Sequence, residues 1–257
     1  MKKNQDKNQQ SYDIFIKNSH SPAIAKLMIS LNVNVLNFWL RKYQGKKSAD
    51  VLEVGPGKGY FFKALEQIGW QGSYTALDRN SLILKNLGIK KVIISELPKI
   101  ETKEKFDLVH CAYVLEHLSS YQEVYKTLVN FKQVLTTDGY LLLSVPDFMG
   151  QKTEFWNIDY SHTYPTTKRN MVMALIDAGF QEENIEIFEI NGLLTLPHFD
   201  SKVAYLLINW LMFFYSYRFF HFWQYLFMRK NVYSLNNFFY RVYCLCKEPN
   251  LMIVVKK

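Results

Sequence analysis

The residues best suited to chemistry stand at the ends of short apolar runs. Val51-Leu52-Glu53-Val54-Gly55-Pro56-Gly57-Lys58-Gly59 carries an acid two residues ahead of three glycines at alternate positions. The apolar run reads as a strand covered on both faces, and the glycines remove side chains where a ligand could approach the backbone. Dinucleotide sites use G-x-G-x-x-G with a pyrophosphate at the helix N-terminus. Here the spacing is G-x-G-x-G, and Glu53 would repel a pyrophosphate while suiting a cationic or zwitterionic ligand. Asp78, 19 residues past Gly59, ends a second apolar run, Gly72 to Leu77. A carboxylate at the end of strand two can accept both ribose hydroxyls of an adenosine.

A second polar group lies on the stretch Phe155-Trp156-Asn157-Ile158-Asp159-Tyr160-Ser161-His162-Thr163-Tyr164-Pro165-Thr166-Thr167. An acceptor hydroxyl must lose its proton as it attacks an electrophile, and an imidazole titrating near neutrality can take it. His162 is the candidate catalytic base; the competing reading is a histidine that fixes the loop by hydrogen bonds. Tyr160 and Tyr164 either line an acceptor pocket or pack. No metal-ligand set is assigned.

The elements that must position these groups alternate. Ser21-Pro22 offers an N-cap and first-turn pair for a helix to about Tyr43, with Leu27, Leu31, Val35 and Phe38 as its stripe. This helix should pack on the fold or roof the ligand site. After the glycine turn, Phe62, Leu65 and Ile68 give a helical stripe stopped by Gly69. A short helix from Ser81 to Leu87 and a third strand, Lys91–Ser95, follow. Strand four is Lys105 to Ala112, then Ser120-Tyr121-Gln122-Glu123 has capping-box spacing before Val124, Leu128, Phe131 and Leu135. Asp138-Gly139 turns into strand five, Tyr140–Pro146. A helix from Lys168 to Ala178, strand six over 184–190 and strand seven over 250–256 complete an open sheet with helices on both faces. In such sheets ligands bind beyond the carboxyl ends of the strands, where strand order reverses.

The stretch Glu53 to Gly59 resembles motif I of the class I S-adenosylmethionine-dependent methyltransferases, an acid, any residue, then G-x-G-x-G. Phe106-Asp107-Leu108-Val109 followed by Leu115-Glu116-His117 resembles the strand-four motif of the same family. His162, the Thr-capped helix and the Ala178-Gly179-Phe180 ending are similar to a subgroup found in bacterial cell-surface glycan and lipid pathways. The resemblance implies a Rossmann-like, doubly wound seven-stranded α/β sheet, mostly parallel with an antiparallel C-terminal strand, and S-adenosylmethionine as methyl donor. It implies that Glu53 orients the glycine loop and the ligand's ammonium end, that Gly55, Gly57 and Gly59 admit the ligand, and that Asp78 holds the ribose. It also implies Glu96 near the adenine, the backbone around Cys111 near the methionine end, and His117 as a supporting group. The expected domains are 1–47 (tail and helix), 48–190 (cofactor-binding core), 191–249 (insertion) and 250–257 (final strand).

The chain of 257 residues is 49% hydrophobic and 21% charged, as for a globular protein, with a net charge of +8. Residues 201–257 hold eight Lys/Arg against one acid, and from Val203 to Met228 the only charge is Arg218 among many aromatics. This insertion reads as a lid, a homodimer surface or a peripheral contact with anionic membrane. Its interrupted apolar run is short for a span, and its basic residues match no nucleic-acid motif. Without an N-terminal apolar signal region and with three cysteines, the expectation is a reduced cytoplasmic protein, peripheral at the inner membrane face in the membrane reading. The expected reaction is methyl transfer to oxygen on a small-molecule, glycan or lipid-linked acceptor. A membrane-associated quinone or lipid methyltransferase, an NAD(P)-dependent oxidoreductase and a non-catalytic S-adenosylmethionine-binding protein stand as alternatives.

Overall fold

The computed structural model describes residues 20–191 and 249–257. Nearly all of the aromatic insertion, with Cys244 and Cys246, lies outside the described residues, as does the N-terminal tail.

Seven strands form one sheet in the order β3-β2-β1-β4-β5-β7-β6. They are β1 (Val51–Val54), β2 (Tyr74–Asp78), β3 (Lys91–Ile94), β4 (Phe106–Ala112), β5 (Leu135–Pro146), β6 (Ile185–Asn191) and β7 (Pro249–Lys256). The pairs among β1 to β5 are parallel, and β7 runs antiparallel to both β5 and β6. The sheet expected from sequence is therefore the one observed. Strand order reverses between β1 and β4, so the loops leaving these two strands diverge and open a crevice.

Both faces of the sheet are buried, which explains the unbroken apolar strands. Successive side chains alternate between faces. Leu52, Val109, Leu141 and Ile253 thus join one core with α4 (Tyr121–Val134) and α7 (Lys168–Asp177). Val51, Leu108, Leu142 and Val254 join the other with α1 (Pro22–Lys42) and α2 (Tyr60–Gln67). The edge strand β3 is mostly exposed.

Ser21 caps α1 through its Oγ, which accepts the Ile24 N–H at 3.4 Å, with Pro22 at the first helical position. By length and composition α1 could cross a membrane. Leu31, Val35, Leu36, Phe38 and Trp39 are nevertheless buried against the sheet and α2, so this helix packs on the fold. Leu27, expected in the stripe, is exposed because the N-terminal half of α1 overhangs the core.

Two further expectations shift. In α2 Leu65 is buried and Ile68 packs on the core as expected, but Phe61 and Ala64, not Phe62, complete the buried face. Phe61 stacks on His110 at 3.7 Å, and Phe62 is left half-buried beside Tyr74. Gly69 ends α2 as expected, with the Trp70 N–H on Leu65 O and the Gly69 N–H on Glu66 O. Leu135 begins β5 rather than ending α4: it pairs with Phe106, while Tyr140 pairs with Leu108, so residues 136–139 bulge between them. Ser120 caps α4 through the Glu123 N–H at 3.3 Å, but the Glu123 carboxylate returns to the Ser119 N–H at 2.8 Å, not to Ser120.

Gly72 lies where a loop crosses under β1, and a Cβ there would sit 1.9 Å from the Ala49 carbonyl oxygen. Backbone cannot rotate aside as a side chain can. Gly72→Ala is expected to destabilise the fold by about 1–3 kcal/mol, the range for overpacking. A lowered urea midpoint at unchanged slope is the check.

Candidate active site

At the reversal of strand order lies a cleft of about 1070 Å³. Its walls come from three places: Val54, Gly55 and Gly57 at the end of β1, Asp78 to Asn80 at the end of β2, and Tyr113, Val114, His117 and Leu118 after β4. Loop 94–99 closes one side, and Ser161 approaches from another.

Gly55 turns the chain at the end of β1 with φ +68°, its N–H donating to Leu77 O at 2.8 Å. A Cβ there would come 2.5 Å from Val114 Cγ2. Gly59 is different. It takes φ +71° at the start of α2 and packs against Leu87, where a Cβ would come 2.7 Å from Cδ2, and it does not line the cleft. Tyr113, opposite the glycine loop, holds a left-handed φ of +57°, an uncommon state for an aromatic residue.

Asp78 faces the cleft and accepts the Asn80 N–H at 2.7 Å. Burial pushes its carboxyl up, with the Asn80 amide, the Arg79 charge and the Arg79 amide pulling the other way. Glu96 also lines the cleft, but as the partner of Arg79 at 3.0 Å, both being exposed. Glu53 does not reach the cleft wall. It is buried under the glycine loop, accepts the Tyr74 hydroxyl and lies 3.6 Å from His110 Nδ1. Its burial and Glu53's negative charge push the Tyr74 hydroxyl far up. Cys111 is likewise buried, its side chain in the core between β1 and β5, and its thiol is pushed up by that burial and by Glu116 and Glu53.

The far end of the cleft gathers a second group. The backbone carbonyl of Glu116 accepts the N–H groups of Thr163 and Tyr164, each at 2.9 Å, and Thr163 Oγ1 donates to Leu118 O at 2.8 Å. These bonds clamp loop 159–166 onto the turn after β4. His117, exposed on the cleft wall, directs Nδ1 to Ser161 O at 3.3 Å and to Ser161 Oγ at 3.0 Å. The Ser161 hydroxyl in turn donates to Asp159 at 2.6 Å. Burial works against the Asp159 charge, yet the Ser161 hydroxyl and amide and the two imidazoles hold its carboxyl below the usual range. His117 is lowered by burial, with Ser161 and Asp159 offsetting and His162 and Arg79 adding. His162 is buried, its Nδ1 on Phe155 O at 2.6 Å and its ring 5.0 Å from His117. The candidate base therefore stands behind His117, away from the cleft surface. Glu116 is 0% exposed, neither carboxylate oxygen has a hydrogen-bond partner among the described residues, and burial, partly offset by its own backbone amide, pushes its pKa up to about 8.

Sequence reasoning missed Glu116, Ser161 and Arg79 as members of this site. Leu115-Glu116-His117 was visible as a motif, but nothing in the spacing showed that residue 161 would meet it.

A family profile described as a methyltransferase domain matches residues 30–185. No curated protein matches the chain in sequence. Among solved structures, a SAM-dependent methyltransferase from Archaeoglobus fulgidus aligns at TM-score 0.52 and 17% identity, covering 88% of this chain and 94% of that one. The plantazolicin methyltransferase BamL, in complex with a triazolic desmethylPZN analog and SAH, aligns at TM-score 0.58 and 13% identity over 99% and 91%. A S-adenosylmethionine-dependent methyltransferase from Clostridium acetobutylicum aligns at 0.52 and 10% over 98% of each. At these identities the likeness is one of fold.

The Tyr74–Glu53 bond ties β2 to β1 beneath the glycine loop. Tyr74→Phe would leave a buried carboxylate oxygen without its donor, at a cost of about 1–3 kcal/mol. Urea unfolding should show that loss, and an unchanged midpoint would mean that the bond does not hold the loop.

Proposed function

The chain belongs to the methyltransferase family, and we propose that it moves a methyl group from S-adenosylmethionine to an oxygen on a small-molecule, glycan or lipid-linked acceptor. The observation that carries this reading is one cleft lined by two unlike groups. Asp78 and the glycine loop supply one, and His117 with Ser161 the other.

The residues present fit the donor. Gly55 leaves room where any Cβ would strike Val114, and Asp78 offers a half-buried carboxylate at the end of β2. In this reading Asp78 accepts the ribose hydroxyls, Gly55 and Gly57 let the amino-acid portion approach the backbone, and Glu96 with Arg79 borders the adenine. Glu53 and Gly59 act at one remove, Glu53 by fixing the end of β1 and Gly59 by seating α2. The backbone after Cys111, at Tyr113 and Val114, borders the methionine end. Bound there, S-adenosylmethionine supplies an electrophilic methyl group on a sulfonium centre. The chain's own work is to align an acceptor hydroxyl and receive its proton, and the His117 imidazole, which lines the cleft, is the group placed to do so.

The acceptor carries an apolar portion in this reading, because Tyr160, beside the cleft-lining Ser161, is 91% exposed and Trp156 and Met149 are exposed nearby in the chain. The same exposed groups favour the second reading, a peripheral enzyme on the inner face of an anionic membrane. Sedimentation with phosphatidylglycerol vesicles in low salt checks it; protein left wholly in the supernatant would dismiss it.

Calorimetric titration with S-adenosylhomocysteine tests the main reading. Wild type should bind in the micromolar range, and Asp78→Ala should lose at least about tenfold, since a hydrogen bond to a charged group is worth about 1.5–3 kcal/mol. Failure of the folded wild type to bind would end the methyl-donor assignment. pH adds a second check. The ionised carboxylate is the form that accepts two hydroxyls, and burial has raised the Asp78 pKa. Affinity should thus begin to fall on acidification while still above the ordinary aspartate value of about 3.9. Asp78→Asn should flatten that dependence. His117→Ala should lower turnover by about 10²–10⁴-fold with S-adenosylhomocysteine affinity unchanged, and His162→Ala by less, because His162 stands behind it.

A further inference from the structure

We propose that Glu116, His117 and His162 form a binding site for a divalent transition-metal ion at the acceptor end of the cleft. The inference rests on the methyl-transfer reading only for what the ion would do there, not for its binding. One donor atom from each of the three side chains lies within 4.8 Å of the others. Two imidazoles and one carboxylate, with room for an outside ligand, make up a donor set typical of Zn²⁺ and of other first-row divalent ions.

Two independent features point to a cation. First, Glu116 is 0% exposed and, among the described residues, neither of its oxygens has a hydrogen-bond partner. A buried carboxylate without donors is costly unless it is paired or coordinates a metal. Second, both imidazoles are oriented as ligating imidazoles are. A carbonyl oxygen can only accept, so Phe155 O and Ser161 O place the proton on Nδ1 of His162 and of His117. That leaves the lone pair of each ring on Nε2, and metal-bound histidines characteristically give their other N–H to a carbonyl or carboxylate. His117 has the longer version of this arrangement, through the Ser161 hydroxyl to Asp159. A divalent cation would satisfy the two Glu116 oxygens and both lone pairs at once.

The clamp between Glu116 O and the N–H groups of Thr163 and Tyr164 holds the ligands together from two segments of chain. Because His117 lines the cleft, an open coordination position would face it. With both imidazoles ligating through Nε2, a divalent ion there would act as a Lewis acid in place of an imidazole base, lowering the pKa of an acceptor hydroxyl so that its proton passes to solvent water and the O–H electron pair stays on oxygen.

The test uses the full-length protein stripped of metal with a chelator, titrated with Zn²⁺ by calorimetry and with Co²⁺ by visible absorption. One equivalent should bind, with a Co²⁺ d–d band that Zn²⁺ bleaches. Glu116→Gln and His162→Ala should abolish the band. Asp159→Asn, removing the outer partner of His117, should weaken Zn²⁺ by about 10–100-fold. Saturable binding that both ligand variants lose supports the site. No saturable binding by wild type, or equal affinity in folded His162→Ala, overturns it, and a water-filled cluster then satisfies Glu116. Should the variants fail to fold, the wild-type Co²⁺ band decides alone. S-adenosylhomocysteine titrated into the same metal-free protein separates the two proposals. Cofactor binding without metal binding removes the ion and keeps the methyltransferase reading. Metal binding without cofactor binding does the reverse.

Discussion

The cleft depends on one turn of backbone. Gly55 leaves β1 with a positive φ, gives its N–H to Leu77 on β2, and passes under Val114 at the end of β4. A side chain at this position would be strained by the dihedral and would also meet Val114, so two constraints fall on one residue. The turn matters because β1 is central, flanked in parallel by β2 and β4. Moving its end would move the cleft walls at Asp78 and at Tyr113 together. The buried Tyr74–Glu53 bond holds the same strand end from below.

That arrangement is stable because the sheet is closed on both faces. The alternation of Leu52 and Val51, of Val109 and Leu108, and of Leu141 and Leu142 sends neighbours into separate cores. One core anchors α4 and α7, and the other anchors α1 and α2. The strand ends are thereby fixed from both sides, and the exposed residues that could make chemistry are confined to the loops leaving them. Catalytic geometry can rest on such loops because the elements beneath them cannot shift independently.

What was legible in the sequence follows from what is local. Gly55, Gly57 and Asp78 are defined by residue type and by standing at the end of an apolar run, and both properties are visible without a fold. The antiparallel place of β7 came from the resemblance, and the structure has it. The helix phase at Phe61 was misread because Phe61 and Phe62 are equally apolar; the stack of Phe61 on His110 decides between them, and that contact joins α2 to β4. Leu135 continued the helical spacing of α4, yet its pairing with Phe106 makes it strand. The inward turn of Glu53 was equally hidden, since Tyr74 lies on another strand. Each error concerns a contact made across the sheet.

The Glu116 cluster shows the same limit at the site itself. Read along the chain, Glu116 and His117 are neighbours on a short turn after β4, and His162 belongs to a loop more than forty residues later. The bonds from Thr163 and Tyr164 to the Glu116 carbonyl, with those of Thr163 to Leu118 and of His117 to Ser161, bring them together, and burial changes what the Glu116 carboxyl is worth. An exposed acid there would be a solvated charge with no demand on its surroundings. Buried without a donor, it raises the free energy of the folded state until something positive or protonated meets it. The protein keeps this acid behind the cleft wall, beside two imidazoles that each turn Nδ1 to a backbone carbonyl.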